Sequence, residues 1–298
     1  MARLRQLAVV ADDFGIGPET DRGILELAKR CRITSTVLLV NSPYAADAVS
    51  AWKRAGRPIE LGWHPNLTLD RPLLAPDLVP TLVDKNGVFH SLGRFLRNSY
   101  FGRISPADAF AELTAQYGLF VKLTGQPPAL VNSHQHVALF APIAAVLHDL
   151  LTSFPHRPFV RRVREPRATL RGIPGARIKR WLLDRRGRRQ AESLDRDGFP
   201  GCDWLAGITD PHCVQDPRFF ENWLAAMPGA TVELMCHPGH HDRTLIGRDC
   251  PSDGIALERR AHELNHLASD AFPEAVRRAG FELMPASRIG RAPVRVAA

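Results

Sequence analysis

The chain has no apolar run near the roughly 18 residues that a membrane-spanning helix requires. Its 298 residues hold five cysteines, Cys31, Cys202, Cys213, Cys236 and Cys250, and no two of them make a C-x-x-C pair. That spacing excludes the common thiolate zinc and dithiol redox motifs and fits reduced thiols in a cytoplasmic protein. There are no internal repeats and no low-complexity tract. The opening "MARLRQLAVV" starts basic, but its apolar run breaks at Asp12, which makes a poor secretory signal. No nucleic-acid motif is present, so no nucleic-acid partner is expected.

What is present is an ordinary globular composition, 45% hydrophobic and 23% charged, with one anomaly. The net charge of +8 is concentrated between Arg157 and Arg189, where thirteen Lys or Arg face two acids, Glu165 and Asp184. This block reads plainly as a solvated surface insertion. Its sharper reading is a patch for anionic lipid head groups or an anionic substrate. Trp181, Leu182 and Leu183 lie among these charges as a turn that either dips into a membrane interface or packs on the body of the protein. The expected location is cytoplasmic, with a peripheral place at the inner membrane surface if the block binds lipid.

Strand-like runs alternate with helical patterns. "LAVVA" (7–11), "STVLLV" (35–40), "IELGWH" (59–64), "ALVNSHQH" (129–136), "FVRRV" (159–163), "ATVELMCHP" (230–238) and "FELMP" read as strands. Helices are expected after Pro18, over "PYAADAVSAWKRAG", from Ser105-Pro106 to about Leu123, from about Ala256 to Ala268 and over "FPEAVRRAG". Such alternation predicts βα units, an α/β fold with a parallel sheet or barrel. A single domain over 1–298 is expected, with loop elaborations at about 65–104 and 164–216, where periodicity fades.

Four polar clusters end apolar strands: Asp12-Asp13, His64, His134 with His136, and His237. In parallel α/β folds and barrels the C-terminal strand ends converge on one face, where the chemistry sits. Each cluster alone has an ordinary reading as a cap, a loop histidine or a turn. Together they supply one carboxylate and two imidazoles, a three-ligand metal set with open positions. A second carboxylate can take a proton from metal-activated water, and a further histidine can hand one to a leaving group. The two adjacent aspartates then have different tasks. The same ligands also describe a non-haem iron oxygenase, and a non-catalytic lipid- or sugar-binding barrel is a third reading. His240-His241-Asp242 is read as a polar loop and is the rival ligand cluster.

"ADDFG", "GWHPNLT" (62–68), "NSHQH" (132–136), "GITD" (207–210) and "ELMCHPG" (233–239) resemble, in order and spacing, the signature segments of the YdjC-like carbohydrate deacetylase family. The resemblance spans roughly residues 7–285. It implies a single-domain, distorted TIM-barrel-like (β/α) fold and metal-dependent removal of an acetyl group from an N-acetylated sugar. It also implies Asp13, His64 and His134 as ligands of one divalent ion, zinc or magnesium, with Asp12 as general base and His237 as general acid. The basic block and "RVREP" resemble the branch associated with hopanoid biosynthesis, which implies an N-acetylglucosaminyl hopanoid as substrate; a chitooligosaccharide is the alternative. Where relatives often carry a third histidine, this chain has Ala138.

Overall fold

The apolar run around Val9 extends both ways into β1 (Arg5–Phe14), buried along nearly its whole length. The computed structural model describes residues 4–250 and 254–290; residues 1–3, 251–253 and 291–298, which the single-domain expectation includes, lie outside the described residues. After β1 come α1 (Pro18–Lys29), β2 (Ser35–Leu38), α2 (Ala45–Arg54), β3 (Glu60–Trp63), α3 (Leu92–Tyr100), α4 (Pro106–Thr124) and β4 (Leu130–Val131). Then follow α5 (Ile143–Thr152), β5 (Phe159–Val160), α6 (Arg167–Gly172), α7 (Arg177–Arg196), β6 (Trp204–Ala206) and α8 (Phe219–Ala226). The order ends with β7 (Thr231–Cys236), α9 (Ile255–Ala268), α10 (Ala271–Arg278) and β8 (Phe281–Leu283).

Local chemistry sets the expected helices. Pro18 starts α1, Glu19 and Asp21 occupy its first turn, and Ile24, Leu27 and Ala28 form its buried stripe. The Ser105 hydroxyl accepts from the Asp108 N–H at the start of α4, and Gly125 ends that helix at φ +79°, the left-handed conformation glycine takes without strain.

The strands are parallel and ordered β5-β4-β3-β2-β1-β7-β6. β1 is long enough to serve three partners. Its start pairs with β8 (Leu7 opposite Leu283), its middle with β7, and its end with β2. The sheet curls until its two edges nearly meet. Val160 N–H donates to Pro200 O and Leu205 N–H to Arg164 O, both at 2.9 Å, across the seam. The architecture is a distorted (β/α) barrel, with the main core between the sheet and its helices.

Three expectations change. The segments taken as loops contain α3 in one case and α6, α7 and β6 in the other. The twenty-residue α7 escaped notice because its buried stripe is Arg180, Leu183, Asp184, Gly187, Ala191 and Leu194, half of it charged or glycine. "ALVNSHQH" is strand only at Leu130–Val131; the chain then turns through Gln135 and His136 at φ +51° and +56°. The basic block is not uniformly solvated, since Arg161, Arg162 and Arg180 are fully buried in ion pairs. Its apolar trio divides: Leu183 packs inside, while Trp181 and Leu182 stay 50% and 45% exposed.

Candidate active site

Regular strands send successive side chains to opposite faces, so Asp12 and Asp13 would normally diverge. A β-bulge prevents that. Ala11 lies opposite Thr36 and Phe14 opposite Leu38, so three steps on β1 match two on β2, and Asp13 adopts φ +67°. Bulges re-aim side chains beside active sites. Here both carboxylates line one cavity of about 190 Å³ at the C-terminal strand ends, together with His64, His134, His136 and His237.

Asp13, His64 and His134 offer three buried ligand atoms within 4.8 Å of one another. Asp13 Oδ1 lies 3.3 Å from His64 Nε2 and 3.0 Å from His134 Nδ1. Metal bonds of about 2.0–2.2 Å put neighbouring donor atoms roughly 3.0–3.6 Å apart, so these spacings fit one ion. His64 Nδ1 donates to the Asn132 carbonyl at 2.8 Å, which leaves Nε2 as the lone-pair nitrogen facing Asp13. His134 Nε2 is buried without a hydrogen bond, 3.7 Å from Asp249 Oδ1. Asp13 Oδ2 accepts from Arg260 Nη2 at 2.7 Å, and the same nitrogen reaches Asp249 at 2.9 Å. Two carboxylates share one guanidinium; burial pushes His134 down, but its bond to Asp13 and the charges of Asp13 and Asp249 outweigh that and raise it. Burial pushes Asp13 up, but Arg260 and the two histidines outweigh it and hold the carboxyl well below its usual range.

Asp12 has a separate partner. Arg161 grips it with Nη1 to Oδ2 at 2.6 Å and Nη2 to Oδ1 at 2.8 Å, while Arg161 Nε donates to Glu233 at 2.7 Å. Asn132 Nδ2 adds a bond to Asp12 Oδ1 at 3.1 Å. Burial raises Glu233 despite the opposing Arg161. His237 Nε2 stands 4.0 Å from Asp12 Oδ2, and its Nδ1 receives Arg259 Nη2 at 3.2 Å. Burial, then Arg259, pushes the imidazole well below its usual value, with Asp13 opposing. The resting ring is therefore neutral, with its hydrogen on Nε2.

The structure brings all five expected site residues into this cavity. His136 joins them, buried and held neutral chiefly by burial. Ala138 packs into the core and does not line the cavity. The rival cluster is structural: His240 pairs with Glu26, and Asp242 accepts from the Glu19 and Thr244 N–H groups. Sequence reasoning missed Arg161, Glu233, Asp249, Arg259 and Arg260. Arg161 did carry a signal, since it follows β5 as the histidines follow their strands, but twelve other cations of the block masked it.

The family described as YdjC-like protein matches residues 6–278 of the chain. A chitooligosaccharide deacetylase of Klebsiella pneumoniae (strain 342) is 29% identical over 282 residues, covering 94% of this chain and 97% of that protein. A carbohydrate deacetylase of Homo sapiens is 29% identical over 302 residues, covering 95% and 91%. A crystal structure from Enterococcus faecalis V583, provisionally described as a cellobiose-phosphate cleavage protein, superposes with a TM-score of 0.74 at 22% identity, covering 96% and 99%. That last likeness concerns the fold.

Proposed function

The chain belongs to the YdjC-like protein family, and on that premise we propose that it is a metal-dependent deacetylase acting on the N-acetyl group of an N-acetylglucosamine-containing substrate. One observation carries the reading: two adjacent carboxylates face one cavity, one set among two imidazoles and the other gripped by an arginine beside a third histidine. Relatives named as carbohydrate and chitooligosaccharide deacetylases support it.

Asp13, His64 and His134 are the residues that would hold one divalent ion, and two imidazoles favour zinc over magnesium. Such an ion lowers the pKa of water and polarises an acyl oxygen. Asp12, fixed by Arg161, takes a proton from the attacking water. The amide nitrogen needs a proton to leave as an amine, and His237 Nε2 is placed to supply it. Burial and Arg259 hold that ring neutral at rest, so it first takes a proton from solvent as negative charge develops on the substrate beside it, then gives its Nε2 proton to the leaving nitrogen and returns to the neutral form.

The finer substrate assignment is a glycolipid, an N-acetylglucosaminyl hopanoid met at an anionic membrane surface. A specific feature favours it over a soluble chitooligosaccharide. Ile178, Trp181 and Leu182, at helical spacing on α7, are 77%, 50% and 45% exposed beside the exposed Arg177 and Arg185, an apolar stripe with cationic flanks. Incubating metal-loaded protein with N-acetylglucosaminyl hopanoid and with N,N′-diacetylchitobiose, and measuring acetate, tests both levels. Acetate from neither substrate refutes the deacetylase. Oxygen-dependent turnover would restore the iron oxygenase, and ligand binding that survives chelation without acetate would restore the binding protein.

A further inference from the structure

Of the segments that match the family, "GITD" (207–210) has no part in the chemistry above. Its geometry is nonetheless specific. Gly207 ends β6 at φ +102°, where a Cβ would come within 2.2 Å of the Met235 carbonyl, so only glycine lets the chain turn against β7 and into the cavity wall. Asp210 Oδ2 accepts the Ala176 N–H at 2.6 Å, tying this turn to the start of α7. Between them the Thr209 hydroxyl is buried beside Gly175 with no hydrogen-bond partner among the described residues, on a residue 3% exposed that lines the cavity. An unpaired buried hydroxyl costs free energy unless a ligand satisfies it.

Among the described residues, three more polar side chains of the lining lack a partner: the exposed Gln135 and Lys179, and the buried His136. The Lys179 ammonium makes no ion pair, whereas Arg259 pairs with Glu263, and Arg260 with Asp13 and Asp249; among the described residues it is the unpaired cation of the lining. The next residue, Arg180, is anchored by Glu165 and by the carbonyls of Thr169, Ile173 and Gly175. That buried fixture holds the first turn of α7, and with it Lys179, in place. His136 is 8% exposed, makes no side-chain hydrogen bond and lies in the left-handed backbone pair after the ligand His134. α7 also clamps this turn, since Gln190 Nε2 donates to the Ala138 carbonyl at 2.9 Å.

We propose that Thr209, Lys179 and His136 form the sugar-binding wall of the cavity, hydrogen-bonding ring hydroxyls of an N-acetylhexosamine so that its acetamido group meets Asp12 and the Asp13–His64–His134 cluster. The assignment rests on the deacetylase reading and adds which residues select the sugar. A hydroxyl, an ammonium and an imidazole together offer both donors and acceptors, as a ring carrying several neutral hydroxyls requires. They belong to binding; the proton-transfer groups lie elsewhere in the cavity.

The test combines steady-state acetate release from N,N′-diacetylchitobiose with calorimetric binding of the same disaccharide and metal content per chain. Thr209→Val should raise KM and the dissociation constant about 3- to 10-fold, the weight of one neutral hydrogen bond. Lys179→Met should raise them about 10- to 100-fold, as for a charged donor. Both should keep wild-type metal content and most of kcat, and Thr209→Ser and Lys179→Arg should recover binding. His136→Asn, which suits the left-handed backbone, should behave like Thr209→Val. Unchanged KM and binding in an active Thr209→Val and Lys179→Met pair overturns the wall and leaves the deacetylase standing. A kcat loss without a KM change also overturns it. A wild type that releases no acetate from the disaccharide or the glycolipid refutes the deacetylase reading, and the wall with it.

Discussion

Replacing the two adjacent aspartates one at a time separates their tasks, and the structure sets the size of each effect. Asp12→Asn removes a carboxylate that takes two charge-assisted bonds from Arg161 at 2.6 and 2.8 Å. Stripping a buried ion pair of one partner costs about 3–5 kcal/mol when the other charge is left alone. Arg161 is not left alone, because its Nε still donates to Glu233 at 2.7 Å. Removing Asp12 also removes a repulsion that raises Glu233, so the remaining pair is charge-balanced. The expected cost is therefore nearer 1–3 kcal/mol, enough to lower Tm without unfolding the chain. Metal content should stay at wild type, and acetate release should fall about 10²–10⁴-fold, the weight of a general base. Asp13→Asn leaves Arg260 paired with Asp249 at 2.9 Å, so it too should fold. It removes the one carboxylate of the ligand set, so it should lose metal as well as turnover. Metal analysis after dialysis, thermal melts and acetate assays on both variants decide the matter. Equal metal loss in the two variants would falsify the division of labour.

His237→Ala should slow N-acetyl sugars about 10²–10⁴-fold but an activated aryl acetate much less, since that leaving group departs unprotonated; equal losses on both point to a structural role. Asp21 gives a stability prediction away from the chemistry. Burial raises its carboxyl to about 8 from 3.8, against the opposing Gly15 N–H. The folded state therefore holds a proton that the unfolded chain releases between those values, and stability is fully present below about pH 4 and lost as pH rises through about 8. Asp21→Asn should flatten thermal stability across that range, and an unchanged slope in melts from pH 4 to 8 rules the origin out. The cationic flank of α7 predicts salt-sensitive binding to anionic liposomes, at about 1 kcal/mol per residue near the surface. It should weaken when Arg185, Arg186 and Arg189 become Gln. Arg188 is left intact because it bonds Asp184 and the Glu165 carbonyl. Wild-type protein that ignores such vesicles at low salt removes the membrane from the reading.

The barrel was legible where apolar runs ended in turn signals, as at β1, β2, β3 and β7, and where Pro or Gly marked helix ends, as at Pro18, Ser105-Pro106 and Gly125. It was illegible in α7, because a helix that buries Arg180 against Glu165 and packs Gly187 against the Val163 carbonyl shows no apolar stripe. The site was half legible. Histidines and aspartates at strand ends announce themselves, since such groups seldom end a buried run without a reason. The arginines that restrain them do not. Arg161 lay within a run of cations, and Arg260 comes from a helix far along the chain. Which surface charge and which buried charge an arginine supplies depends on the partner that folding brings to it, and residue type alone does not encode that.

Regularity itself limits what can be read around the cavity. A period-two reading of β1 sends Asp12 and Asp13 to opposite faces, and a strand carried through "NSHQH" sends His134 and His136 to one face with Gln135 on the other. The fold breaks both patterns, with a bulge at Asp13 and a left-handed pair at Gln135-His136, and it breaks a third strand end at Gly207. The first two fall on the wall of one cavity, and the third leads into that wall at Ile208 and Thr209. A site that needs consecutive residues on the same side of a sheet must abandon the sheet's alternation there. Left-handed backbone at non-glycine residues costs of order 1–3 kcal/mol each and persists only where the surroundings enforce it. At β1 the surroundings are the buried polar pairs: Arg260 and His134 hold the strained Asp13, and Arg161 holds its neighbour. The same buried charges that make the chemistry available thus maintain the backbone that presents it.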